Sequence, residues 1–208
     1  MKKRILQVVL GILLLVLLAI AGFGVLYAGR LRTVNSIEQL TNYDDYNLYR
    51  MDIRYDYSID DVINYGITDN QSMIDAILKE ALPLLPVKMK APQFGCSAFG
   101  TVLDRHIVMG RNYDFKRDTS AMLVYCAPKN GYKSVALTAL DNISVNEPDA
   151  NLKKKLACLT APFICLDGMN EKGVSIAVLT LDSEPVNQST GKQKIFTTLA
   201  IRLVLDRA

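Results

Sequence analysis

The chain has 208 residues, of which 50% are hydrophobic and 22% charged, enough for one domain of ordinary size and too apolar for a disordered chain. Its formal charge of +3 comes from one segment: residues 1–32 hold Lys2, Lys3, Arg4, Arg30 and Arg32 and no acid, which leaves 19 basic against 21 acidic groups in the remainder. With that remainder at −2, a global basic surface has no support and no nucleic-acid partner is expected.

From Ile5 to Ala28 the chain is apolar apart from Gln7 and the glycines, and Lys2-Lys3-Arg4 stands directly ahead of it. A bilayer needs about 20 apolar residues, so residues 1–32 read as a membrane anchor. A cleaved signal peptide with Ala19-Ile20-Ala21 as its small-residue site is the competing reading, but such apolar regions run only about 7 to 15 residues. The cationic side chains before and after the run place Met1 in the cytoplasm and the remainder outside.

Charge divides the rest of the chain in two. Residues 33–95 carry five basic and ten acidic groups, residues 96–208 fourteen and eleven, and the boundary is Gly95-Cys96. In the acidic part, Met51, Ile53, Tyr55 and Tyr57 alternate with Asp52, Arg54, Asp56 and Ser58, the period of a half-buried strand. Met73, Ile74, Ile77, Leu78 and Ala81 then recur at helical spacing, with Asp69 or Ser72 to cap the start and Pro83 to end it. Leu84 to Phe94, with Pro86 and Pro92, reads as an extended, exposed connector.

Beyond Cys96 short strands are expected at Ser97–Leu103, Ile107–Asn112, Ala121–Ala127 and Tyr132–Leu140, with turns at Asp104-Arg105 and Lys129-Asn130-Gly131, which implies an antiparallel sheet. Asp149–Leu159 reads as helix, and its Lys153-Lys154-Lys155 run as a solvated face. Ala161–Leu166 and Val174–Leu181 read as a hairpin, and a last helix starting near Ile195 buries Leu199 and Leu203. That helix has no cap or breaker at Ala208, so the chain is expected to be cut short.

Folding the first hairpin about Asp104-Arg105 makes paired residue numbers sum to about 209, which sets Cys96 opposite Asn112 or Tyr113, with Arg111, Asn112 and Asp114 as cross-strand neighbours. A slip of one residue would change which of them shares its face. Cys126, Cys158 and Cys165 lie in apolar runs and read as plain burial, although an outside location would permit disulfides among the four cysteines. A single histidine, His106, sits at the hairpin turn, far along the strand from Cys96, and scattered cysteines offer no ligand cluster; no metal or organic cofactor is expected.

Three blocks, Gly95-Cys96-Ser97-Ala98-Phe99, Gly110-Arg111-Asn112-Tyr113-Asp114-Phe115 and Asp167-Gly168-Met169-Asn170-Glu171-Lys172-Gly173, together resemble the choloylglycine hydrolase and penicillin V acylase family. These are linear amide C–N hydrolases of the N-terminal-nucleophile type. The resemblance covers Cys96 to Ala208. The long segment ending in glycine before the cysteine resembles the precursor of the related isopenicillin N acyltransferases, which makes residues 33–95 a prosegment and residues 96–208 the hydrolase domain.

The resemblance implies an α/β protein, the first half of an αββα sandwich preceded by a transmembrane helix, that hydrolyses a small-molecule linear amide after autocatalytic cleavage at Gly95-Cys96. It implies that Cys96, Arg111 and Asp114 are catalytic: Asp114 favours the protonated α-amine of Cys96, and Arg111 lowers its thiol pKa. Asn112 and Thr180 are the candidate oxyanion or substrate contacts. Thr180 aligns where relatives often carry an asparagine, so that donor departs from the family pattern. Asn170 reads as a structural turn residue. Two other functions fit the same residues: a catalytically silent membrane-anchored binding domain, and an acyltransferase with an amine acceptor. Only 113 residues follow Gly95, about half of a full two-sheet sandwich, so this chain alone is expected to be inactive.

Overall fold

The computed structural model describes residues 2–87, 97–104, 106–112, 118–179 and 195–208. It begins with helix α1 (Lys2–Val34), which at 1.5 Å per residue is about 50 Å long. Residues 3–26 of this helix are exposed, and the run is long and apolar enough to cross a membrane. Its last two turns are different. Tyr27, Arg30, Thr33 and Val34 are buried on one helical face, so the apolar rod continues into the folded body without a linker.

That docking has identifiable contacts. The Arg30 guanidinium donates from Nε to Ala81 O at 2.7 Å and from Nη2 to Glu80 O at 2.6 Å, and lies 4.8 Å above the Tyr55 ring. It thereby satisfies carbonyls at the C-terminal end of α3 (Asn70–Ala81), the helix that follows the short α2 (Ile59–Ile63), where a cation is favoured. Arg30 is accordingly a docked side chain and not a flanking cation facing the bilayer. Gly29 permits the close approach: a Cβ there would stand 2.6 Å from Arg54 O.

The sequence places most elements where the structure has them. Asp69 caps α3 in a capping box with Ser72, and Met73, Ile74, Ile77, Leu78 and Ala81 are its buried face. The hairpin of β3 (Ser97–Leu103) and β4 (His106–Asn112) pairs Ser97 with Asn112 and Leu103 with His106, the register expected. Asp104 takes a left-handed φ of 48° at its turn. β5 (Ala121–Cys126), β6 (Ser134–Ala139) and α5 (Thr197–Arg207) fall within a residue or two of their expected bounds.

Four expectations need correction. The strand around Met51 runs earlier, as β2 (Leu48–Asp52), and its ladder stops although the alternation goes on: Ile53, Tyr55 and Tyr57 are buried, Arg54 and Asp56 exposed. Side-chain anchorage replaces the ladder there, because Tyr55 Oη donates to Leu159 O at 2.6 Å and Tyr57 Oη to Asp206 Oδ1 at 3.1 Å. Ala161–Leu166 is not a strand. Cys158–Phe163 is a wholly buried 3₁₀ segment containing Pro162, and a short apolar run does not reveal its own period. The preceding helix is confined to Leu152–Ala157 (α4), and the hairpin beyond it is β7 (Asp167–Asn170) and β8 (Ser175–Ala177).

The fourth correction is topological. A six-stranded sheet has the order β1-β2-β5-β6-β7-β8, with β1 at Glu38–Gln39, and β3–β4 form a separate pair. β2 joins β5 in parallel, Leu48 opposite Ala121 and Asp52 opposite Tyr125. The acidic segment therefore shares both sheet and core with the later residues: Met51, Tyr55, Tyr57 and Ile77 pack in one cluster with Met122, Phe163 and Leu199. The result is a mixed α/β body with helices packed on one principal sheet.

Candidate active site

The site is built where the β3–β4 hairpin meets the β7–β8 hairpin. Alternation along β4 sends neighbouring side chains to opposite faces. Asn112 is exposed, whereas the Arg111 side chain is only 6% exposed and turns toward the main sheet. Its Nη1 lies 3.0 Å from Asp167 Oδ2, and its Nη2 donates to Val178 O at 3.3 Å. Two of the three sequence blocks are thereby brought together. Asp167 sits on an inner strand, its backbone paired to Leu137 on one side and Ala177 on the other. Burial pushes its carboxyl above the ordinary range, while the Arg111 guanidinium pulls the other way.

Next to Asp167, Gly168 is required by close approach: a Cβ would meet Val135 O at 2.7 Å and Leu205 Cδ1 at 2.8 Å. Asn170 closes the block structurally, as expected. Its Oδ1 accepts from Lys172 N and Val174 N, both at 3.0 Å, and its Nδ2 donates to Ala208 O at 2.7 Å. The hairpin is thus tied to the end of α5.

Cys96, Asp114 and Thr180 lie outside the described residues. Arg111 and Asn112 are described and face opposite ways; Ala98 is the cross-strand partner of Arg111. His106 pairs at the far end of the hairpin from Ser97. Asp167 is the residue that sequence reasoning did not single out: its place in the third block was visible, but nothing local linked it to Arg111.

The other three cysteines are buried free thiols. Desolvation pushes Cys158 and Cys165 up to about 12 and raises Cys126 as well, so none is poised as a nucleophile. Among the described residues no three His, Cys, Asp or Glu side chains converge as a metal site. A cavity of about 270 Å³ opens elsewhere, lined by Asp56, Asp60, Asp61, Glu80 and Asp206 among others, and holds none of the three blocks.

Residues 96–208 match the family model of linear amide C–N hydrolases, choloylglycine hydrolase family. This chain belongs to that family. No curated protein and no solved structure matches it. The match starts at Cys96, directly after the glycine that ends the acidic segment.

Proposed function

We propose that the protein is a membrane-anchored cysteine hydrolase of linear amides, of the N-terminal-nucleophile type and αββα architecture, whose nucleophile Cys96 is freed by autocatalytic cleavage after Gly95. The observation that carries this reading is the family match beginning at the cysteine itself. In the maturation step the Cys96 thiol attacks the Gly95 carbonyl, the peptide C–N bond breaks to leave a thioester and the free Cys96 amine, and water then hydrolyses the thioester to the Gly95 carboxylate and the Cys96 thiol.

The freed α-amine, with a pKa of about 7.7 to 8.0, is far better matched to neutral pH than a lysine. It takes the thiol proton, the thiolate attacks the amide carbonyl of the substrate, and the leaving amine departs protonated. Water then hydrolyses the acyl-enzyme. Arg111 favours the thiolate and Asp114 the protonated amine, while Asn112 and Thr180 are the proposed contacts of the oxyanion or substrate. The substrate is a small-molecule amide, R–CO–NH–R′.

The helix supports retention at the membrane, and the Lys2-Lys3-Arg4 cluster ahead of it supports an extracytoplasmic catalytic part. It runs unbroken past Ala21 and Ala28, and its last two turns are part of the core. After cleavage the β2–β5 ladder and the shared core would hold residues 96–208 to the anchored segment.

The test is the Cys96→Ala variant beside wild type, both expressed in the host. Wild type, expressed from its own gene in the host, should yield a chain starting at Cys96 and hydrolyse amides. The variant should stay uncut through Gly95-Cys96 and show no turnover. Cleavage or turnover by the variant would overturn the assignment.

A further inference from the structure

We infer that Asp167 is a positioning residue for the reaction: its carboxylate holds the Arg111 guanidinium in the orientation in which the arginine serves Cys96. The inference rests on the proposed role of Arg111 and adds to it the residue through which that role is exerted. Its basis is geometric. Arg111 projects from a two-stranded hairpin that is separate from the six-stranded sheet, and an arginine side chain is long and flexible. Left to itself such a side chain samples many rotamers. Here its fork meets, among the described residues, the Asp167 carboxylate on β7 and the Val178 carbonyl just past β8.

The gripping residue is itself fixed. Asp167 has a ladder partner on both sides, its side chain is 13% exposed, and the adjoining Gly168 is packed against Val135 and Leu205. Since Asp167 occupies an inner strand, it ties Arg111 to the main sheet. A buried ion pair is weak evidence for stability, because desolvation offsets most of the attraction. A pair joining a motif arginine to a second motif block is better explained by orientation than by fold stability.

Two mechanisms give opposite signs. If Asp167 merely offset the charge of Arg111, removing the carboxylate would strengthen the field at Cys96 and lower its thiol pKa. If it positions Arg111, removal lets the guanidinium wander, and the thiol pKa rises toward the unperturbed value of about 8.5. The readout is the pH dependence of iodoacetamide alkylation of Cys96, followed by peptide mass spectrometry on the full chain in detergent, which needs neither a known substrate nor completed processing.

For Asp167→Asn, alkylation at pH 7 should slow about tenfold relative to wild type, which is one unit of thiol pKa. Asp167→Glu, which keeps the charge but lengthens the arm, should recover part of the loss. Arg111→Gln should slow alkylation as much, and adding Asp167→Asn to it should change the rate less than about twofold, since the two act as one unit. Circular dichroism on each variant separates misfolding from misplacement; should Asp167→Asn misfold, Asp167→Glu decides the matter by the same readout. Unchanged or faster alkylation in a folded Asp167→Asn would overturn the inference, as would independent effects in the double variant. A wild-type thiol pKa near 8.5 would instead overturn the role of Arg111 at Cys96 and the inference with it. Turnover retained by Cys96→Ala would sink the nucleophile assignment by itself, so the failures are distinguishable.

Discussion

Helix α5 is tied to the sheet and to the acidic segment through one buried pair, and breaking that pair has a calculable consequence. Arg202 is 0% exposed and Asp206, one turn later, 3%, with Nη2 to Oδ1 at 2.7 Å. Arg202 also donates to Ser134 Oγ at 2.6 Å and to Cys126 Sγ at 3.3 Å, and Asp206 accepts from Tyr57 Oη. Asp206→Ala leaves a guanidinium without its counterion in a site that water does not reach. Such a break costs about 3–5 kcal/mol, and the orphaned Tyr57 hydroxyl adds about 1 kcal/mol. At roughly 2–4 °C per kcal/mol for a chain of this size, Tm should fall by about 8–24 °C. The double variant Arg202→Met/Asp206→Leu removes both charges while keeping similar bulk, and should recover most of the loss, to within about 2 kcal/mol of wild type. Near-ultraviolet circular dichroism of the ten tyrosines follows unfolding of the core without a tyrosine signal from the exposed turns of α1, because residues 3–26 contain no tyrosine. A drop below about 3 °C for the single variant, or a double variant as unstable as the single, would refute the reasoning.

The buried thiols give a prediction with a sign. Cys158 and Cys165 are raised by desolvation to about 12 when folded, and ionise near their ordinary value of 9 when unfolded. Their contribution to stability is thus whole below pH 9 and is lost as pH rises from 9 to 12, by about 1.4 kcal/mol per unit for each thiol. Urea midpoints should fall between pH 8 and pH 10.5, and iodoacetamide at pH 8 should leave both thiols unmodified until the chain unfolds; a pH-independent midpoint would contradict this. Gly168→Ala should destabilise by about 1–3 kcal/mol, because its Cβ meets the Val135 carbonyl, a backbone atom that cannot swing aside. Thermal unfolding of the variant checks it, and an unchanged Tm would mean that β7 and β6 separate at little cost.

Local signals were the legible ones. The α3 face, its Asp69 cap and the β3–β4 register all follow from residues within a dozen positions of one another, where period and turn chemistry act directly. Tyr55 and Tyr57 were legible as buried but not as to why, since their anchors, Leu159 O and Asp206, lie 104 and 149 residues away. The parallel β2–β5 ladder was hidden for the same reason: no turn links the strands, so nothing local sets their partnership. Pro162 marked the 3₁₀ segment, yet the apolar run around it outweighed that mark. In the site, Arg111 and Asn112 could be named from their motif, whereas the Arg111–Asp167 contact depends on how two hairpins meet.

The most direct test of the central claim is the amino-terminal residue of the protein isolated from its host membranes. A chain starting at Cys96, recovered with the membrane fraction together with the segment that precedes it, is the expected result. A single chain that runs uncut through Gly95-Cys96 in a preparation that hydrolyses amides would contradict it, because Cys96 would then have no free amine with which to work.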